Sequence, residues 1–248
     1  MTGKVVWITG ASSGIGQAAA LELARRGERV CISARGGRAL EELAQDHANL
    51  RAYAVDVTDA TAMAETAAAI AEAEGPIDIA VFNAGIHRPV TPERFDPATF
   101  RTLLDVNVMG VVNGIGAVLP AMRERRAGRI AIVSSVAGYS GLPTASAYGA
   151  TKAALINMAE SLKLDLDSHG IKVQLICPGF VKTPATDRNP FPMPFLMEAE
   201  DAARRIADGL AGDAFEITFP RRFTWQLKVL RMLPYRFYFW LIHKQTGL

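Results

Sequence analysis

The sequence predicts a doubly wound α/β fold, with a mainly parallel sheet of about seven strands and helices on both of its faces. Three features carry that prediction. Short runs rich in Val, Ile and Ala are apolar on both faces, as strands covered from two sides must be. Ala- and Leu-rich segments alternate with them, the pattern of right-handed β-α-β crossovers. A glycine-rich turn joins the first run to the first of these segments.

In chain order, the expected strands are Lys4–Thr9, Arg29–Ala34, Arg51–Val55, Ile77–Phe82, Arg129–Ser134, Ile171–Cys177 and Ala214–Thr218. Gly14–Arg26, Asp59–Glu74 and Ser146–Asp167 lack internal proline and suit helices laid against a sheet. No shift in composition marks a boundary before the C-terminal tail, so residues 1–220 are expected to form one catalytic domain. Residues 221–248 are read as an amphipathic helical extension, not as a separate domain. In it, Phe223, Leu227 and Leu230 share one helical stripe and Thr224, Lys228 and Arg231 another, and Pro234 ends that helix and begins a second.

Composition sets limits on function. With 248 residues, half of them hydrophobic, the chain can bury a core without disulfides or metals. Cys31 and Cys177 both sit in apolar runs with no C-x-x-C or Cys/His cluster, so they read as buried thiols and no metal site is expected. The first apolar run, Val5–Ile8, is too short for a signal-peptide core or a membrane span, so a cytoplasmic location is expected. The net charge of +2 hides an asymmetry. From Pro220 onward there are six Lys and Arg and no Asp or Glu, which leaves −4 on the rest. That acidic body argues against general nucleic-acid binding.

The turn Thr9-Gly10-Ala11-Ser12-Ser13-Gly14-Ile15-Gly16 would set backbone N–H groups and a helix N-terminus against a pyrophosphate. Its G-x-x-x-G-x-G spacing departs from the commoner G-x-G-x-x-G, so a plain strand-to-helix turn is the competing reading. Where an acidic residue would hold the ribose hydroxyls of NAD, the chain has Ala34, then Arg35 and later Arg38. A guanidinium there can pair with a 2′-phosphate, so NADP(H) is expected over NAD(H), against the alternative of a merely solvated arginine.

Tyr148 and Lys152 stand at i and i+4 on one helix face. A phenol with its ordinary pKa of about 10 is a weak base at neutral pH, but a neighbouring ammonium stabilises the phenolate and allows proton exchange with a carbonyl or alcohol. Ser134-Ser135 lies at the carboxyl end of the fifth strand, the edge where doubly wound sheets place ligands.

The glycine turn, Asn83-Ala84-Gly85, Asn107, Ser135, Tyr148, Lys152 and Pro178-Gly179 follow one another in one α/β pattern. From about Gly3 to Pro220, this set resembles the short-chain dehydrogenase/reductase family, whose fold is of the Rossmann type. The resemblance implies catalytic roles for Asn107, Ser135, Tyr148 and Lys152. Ser135 would polarise the carbonyl, Tyr148 act as general acid, Lys152 bind the nicotinamide ribose, and Asn107 hold a proton-relay water. It also implies that Thr9, Gly10, Ser12, Ser13, Gly14, Ile15 and Gly16 surround the pyrophosphate and adenosine ribose. Asp56 and Val57 would meet the adenine, Asn83, Ala84 and Gly85 the adenosine side, and Pro178, Gly179, Val181 and Thr183 the nicotinamide. Many NADP-dependent members carry a basic residue where this chain has Ser13, which leaves Arg35 as the main coenzyme signal.

Pro184–Met197 is proline-punctuated and apolar, as suits a substrate lid. With Tyr139, Leu142 and His87 it would form a pocket for a lipophilic substrate, although His87 reads better as a surface-loop residue. The expected activity is NADPH-dependent interconversion of a lipophilic ketone or aldehyde and its alcohol. The alternatives are a 3-oxoacyl reductase on a carrier-bound chain and a non-catalytic NADPH-binding module. A homodimer or homotetramer is implied by the resemblance. The tail holds seven of the nineteen aromatic residues, and either lies in an anionic membrane interface or covers its own or a partner subunit.

Overall fold

The computed structural model describes residues 3–186 and 193–246. Seven parallel strands form one sheet in the order β3-β2-β1-β4-β5-β6-β7. They are β1 Val5–Thr9, β2 Arg29–Ala34, β3 Leu50–Ala54, β4 Ile79–Phe82, β5 Gly128–Val133, β6 Ile171–Pro178 and β7 Glu216–Phe219. All seven expected strands are present. The fourth begins two residues late, where the carboxylate of Asp78 accepts the N–H of Val5. The seventh begins at Glu216, just past the Ala214 carbonyl that takes the Gln174 amide.

The helices are α1 Gly14–Arg25, α2 Gly37–Gln45, α3 Ala60–Glu74, α4 Pro97–Leu104, α5 Gly110–Arg125, α6 Ser146–Leu166, α7 Ala199–Ala211, α8 Arg221–Arg231 and α9 Tyr235–Thr246. Side-chain caps fix two starts: Asp59 accepts from Ala62 N–H, and Asp96 from the Ala98 and Thr99 N–H groups. Strand alternation sends Val6 and Ile8 to one face, with α1 and α7, through Ala20, Leu23, Ile206 and Leu210. Trp7 and Phe82 go to the other, with α3, α5 and α6, through Met63, Ile115 and Leu155.

A π-helical turn, Asp105–Met109, joins α4 to α5. The whole run Pro97–Arg125 is long and apolar enough to cross a bilayer, yet Val111, Ile115, Val118 and Met122 are spent on the core. Strand order reverses between β1 and β4, and at that switch point the chain leaves the sheet in opposite directions, opening a crevice at the carboxyl ends of the strands.

Candidate active site

A cleft of about 1730 Å³ occupies that crevice. Its floor is the glycine turn. Gly10 has φ +67°, and a Cβ there would lie 2.6 Å from the Cα of Ala84. A Cβ on Gly16 would lie 2.3 Å from the Gly10 carbonyl oxygen. Only hydrogen fits at either place. Ser13 precedes α1 without capping it through its side chain, and Ser12, Ser13, Gly14 and Ile15 line the cleft. The open N–H groups and positive end of α1 therefore face it.

Thr9 and Gly16 stand behind the cleft instead of in it. The Thr9 hydroxyl accepts the N–H groups of Asn83 (3.1 Å) and Ala84 (3.2 Å), which fastens β1 to the end of β4. In return the Asn83 amide donates to the carbonyls of Thr9 and Gly10. Its side chain braces the turn, and Asn83 also borders the cleft along with Ala84 and Gly85.

At the β2–β3 end, Arg35, Asp56 and Val57 line the cleft. Arg35 is exposed and makes no ion pair among the described residues, while Arg38 is taken by Glu42. Asp56 accepts the N–H and hydroxyl of Thr58, and these bonds, helped by Arg35, hold its carboxyl below the usual range. No carboxylate stands at the end of β2, where one would meet ribose hydroxyls.

At the centre, Ser135, Tyr148 and Lys152 come together. Ser135 follows β5, and its Oγ accepts the Ala137 N–H at 3.2 Å, leaving its own proton free to donate. Ser134 is buried and donates to the Lys152 carbonyl, fixing β5 to α6. Lys152 Nζ donates to the Val133 carbonyl at 2.9 Å and lies 5.6 Å from the centre of the Tyr148 ring. Burial lowers the lysine to about 8 and raises the tyrosine to about 12, against the opposing pull of the Ser135 hydroxyl. Asn107 is fully buried within the π-helical turn, a local distortion of the helix that places it behind the cleft. Its Oδ1 accepts the Ile86 N–H, and its amide donates to the Ile86 carbonyl and to Thr151. These bonds lock the loop after β4 to α6.

A model of the short chain dehydrogenase family matches residues 4–190. The chain belongs to that family. This short-chain dehydrogenase is 39% identical over 239 residues to an uncharacterized oxidoreductase of Myxococcus xanthus, covering 94% of each chain. It is 35% identical to the 3-oxoacyl-[acyl-carrier-protein] reductase of Thermotoga maritima over 88% of each chain. A short-chain dehydrogenase from Streptomyces avermitilis superposes with a TM-score of 0.82 at 28% identity, over 92% of both chains. The NADP-bound structure of ElxO does so with a TM-score of 0.78 at 28% identity, over 87% of this chain and 97% of that one.

The other end of the cleft in this short-chain dehydrogenase is walled by β6 and the tail. Pro178, Gly179, Val181 and Thr183 line the cleft, and the methyl of Thr183 would meet a Cβ on Gly14 at 3.2 Å. The base of the expected lid is pinned by the Lys182 N–H to the Met197 carbonyl and the Met197 N–H to that of Phe180. The centre of that lid, 187–192, lies outside the described residues. Phe223 of α8 sets its ring 5.6 Å from Phe180 and 5.9 Å from Phe195. Leu142, Leu227, Leu230 and Ile242 extend the apolar wall.

Two expectations about this wall need correction. His87 is not a surface-loop residue. It is half-buried, edge-on to Tyr148 at 4.7 Å, and burial lowers its pKa, so it faces the cleft as a neutral imidazole. Tyr139 points away from the cleft. Its hydroxyl donates to Glu216 at 2.6 Å under Lys228, which pairs with the same carboxylate. Within the polar stripe of α8, Thr224 is fully buried and Lys228 turns inward to Glu216. Charge alone gave no signal for these turns. The one local hint is Thr224, whose hydroxyl bonds back to the Arg221 carbonyl and so can be buried at low cost.

Proposed function

We propose that this protein is an NADPH-dependent oxidoreductase that reduces a lipophilic ketone or aldehyde, or oxidises the matching alcohol in reverse. The observation that carries this reading is the meeting of Ser135, Tyr148 and Lys152 midway along a cleft with Arg35 at one end and an apolar wall at the other. The residues present fit a dinucleotide: the crowding at Gly10 and Gly16, the uncapped start of α1 and the unpaired Arg35 suit a pyrophosphate and a 2′-phosphate. Ser12 to Ile15 would hold the pyrophosphate. Asp56, Val57 and Ala84 would flank the adenosine, and Pro178 to Thr183 the nicotinamide. NADP in the ElxO neighbour supports the same preference.

The chemistry that the reduced nicotinamide supplies when bound is a hydride for the carbonyl carbon. Ser135 donates a hydrogen bond to the carbonyl oxygen, and Tyr148 gives that oxygen its proton. Lys152, charged at neutral pH, stabilises the phenolate left behind. The apolar wall excludes water and favours a substrate with apolar bulk.

Tyr148→Phe tests the assignment. It should lower kcat by roughly 10²- to 10⁴-fold while NADPH still binds, and unchanged turnover would remove Tyr148 from its role. The Thermotoga relative supports a second reading, reduction of a 3-oxoacyl chain on a carrier, which the same residues would perform. Carrier-linked substrates turned over in preference to free ketones would favour it. NADPH binding without turnover of any carbonyl would favour a non-catalytic module.

Residues 1–220 then form the catalytic unit, and α8 and α9 of the 221–248 extension complete its substrate wall. We place it in the cytoplasm, where the buried, separate thiols of Cys31 and Cys177 stay reduced. Exposed Leu104, Met109 and Val112 on the α4–α5 run support a homodimer or homotetramer through that face. A monomer by analytical ultracentrifugation would end that part of the proposal.

A further inference from the structure

The helices α8 and α9 have two apolar sides, and the fold uses only one. Inward, Phe223, Leu227 and Leu230 of α8 and Ile242 of α9 wall the cleft, and the Tyr238 hydroxyl ties α9 to the Gly141 carbonyl beside it. Outward, α8 shows Arg222, Trp225 and Val229 along one face, running on to Met232 and Leu233, while α9 shows Arg236, Phe239, Trp240 and Lys244. Trp225 and Trp240 are 64% and 61% exposed and Met232 is 83% exposed. Lys244 lies 5.3 Å from the Trp240 ring centre, keeping its charge at the outer surface.

We propose that these outer faces dock the protein on an anionic membrane surface, so that a carbonyl substrate dissolved in the bilayer enters the cleft between the same two helices. The substrate route rests on the proposed reductase function, whereas the docking does not. Three properties select this occupant. Arg221, Arg222, Arg231, Arg236 and Lys244 are all exposed, and the tail has no Asp or Glu to offset them. Aromatic rings mixed with cations on amphipathic helices match the headgroup boundary, where rings sit at the level of the glycerol backbone and cations meet lipid phosphates. A second copy of this chain is a poor fit, because a two-fold contact would press this cationic face against itself.

Each exposed Lys or Arg at an anionic surface contributes roughly fivefold to partitioning. Flotation with phosphatidylglycerol/phosphatidylcholine vesicles should carry the full chain upward, and pure phosphatidylcholine should carry much less. The triple variant Arg222→Glu, Arg236→Glu, Lys244→Glu should bind more than about 100-fold more weakly, with turnover of a short, water-soluble ketone unchanged as evidence of folding. Trp7 is fully buried, so quenching by brominated phosphatidylglycerol reports Trp225 and Trp240. No flotation, no quenching, or equal binding by the triple variant would overturn the proposal. So would loss of a dimer in Trp225→Ala, Trp240→Ala without any vesicle binding, which would assign the face to a second copy. Vesicle binding without carbonyl turnover would leave the docking standing and refute the reductase reading instead.

Discussion

At the β1–β4 end of the cleft the walls are backbone. Gly10 and Gly16 leave no room for a side chain, and Thr9 and Asn83 spend their polar atoms tying the turn to the next strand. At the β6–β7 end the walls are side chains: Phe180 of the loop after β6 meets Phe223, Leu227 and Leu230 of α8 with few polar bonds between them. Backbone recognition suits a ligand that never changes, such as a pyrophosphate. Side-chain walls can be exchanged one at a time, which is how a common fold acquires different substrates. The first end should therefore fail abruptly under substitution, and the second should drift.

The sharpest way to break this contrast is Gly16→Ala. Its methyl group would collide with the Gly10 carbonyl and the Asn83 amide, so NADPH binding should be lost and stability should fall by about 2–4 kcal/mol, the range of severe overpacking and strain. Isothermal titration and thermal melts measure both. Binding that survived would mean that the turn is looser than its packing shows.

Lys152, between the two ends, should show function opposing stability. Its pKa falls from an ordinary 10.5 to about 8 on burial, so the folded state disfavours its charge by about 3 kcal/mol at pH 7. That penalty is full below pH 8 and fades as pH rises toward 10.5. Lys152→Met should therefore lose activity yet melt higher at pH 7, with the gain shrinking above pH 8. A lower melting point at pH 7 would show that the bond to the Val133 carbonyl outweighs desolvation. In the coenzyme-free protein, Tyr148 should ionise only near pH 12, visible as absorbance near 295 nm missing from Tyr148→Phe. Ionisation near pH 10 would contradict desolvation of the half-buried phenol.

At the side-chain end, Leu227→Ala should lower kcat/KM for a long-chain ketone by roughly tenfold, in line with about 1–3 kcal/mol for lost apolar contact, and leave short ketones alone. Equal losses for both would mean that the tail wall supports the fold and not the substrate.

The same contrast explains what could be read from the sequence. Backbone requirements are written as residue types at fixed spacing, so the glycine turn, the strands and the Tyr148–Lys152 pair were legible as local patterns. The stripe Phe223, Leu227, Leu230 was legible as a stripe too, but nothing local says which surface it meets. His87 and Tyr139 were misread for that reason. Each owes its direction to a partner far along the chain, Tyr148 for His87 and Glu216 for Tyr139. Asn107 was legible as part of a motif, but its burial behind Ile86 follows from the π-helical turn, which periodicity does not reveal.

The most direct test of the whole account is kcat/KM for a homologous series of ketones of rising chain length, measured with NADPH and with NADH in the wild type and in Arg35→Ala. Rates should climb with chain length, NADPH should be preferred by at least about tenfold, and Arg35→Ala should erase that preference without changing the length dependence. Equal use of both coenzymes by the wild type, or rates indifferent to chain length, would contradict a cleft with a phosphate reader at one end and an apolar substrate wall at the other.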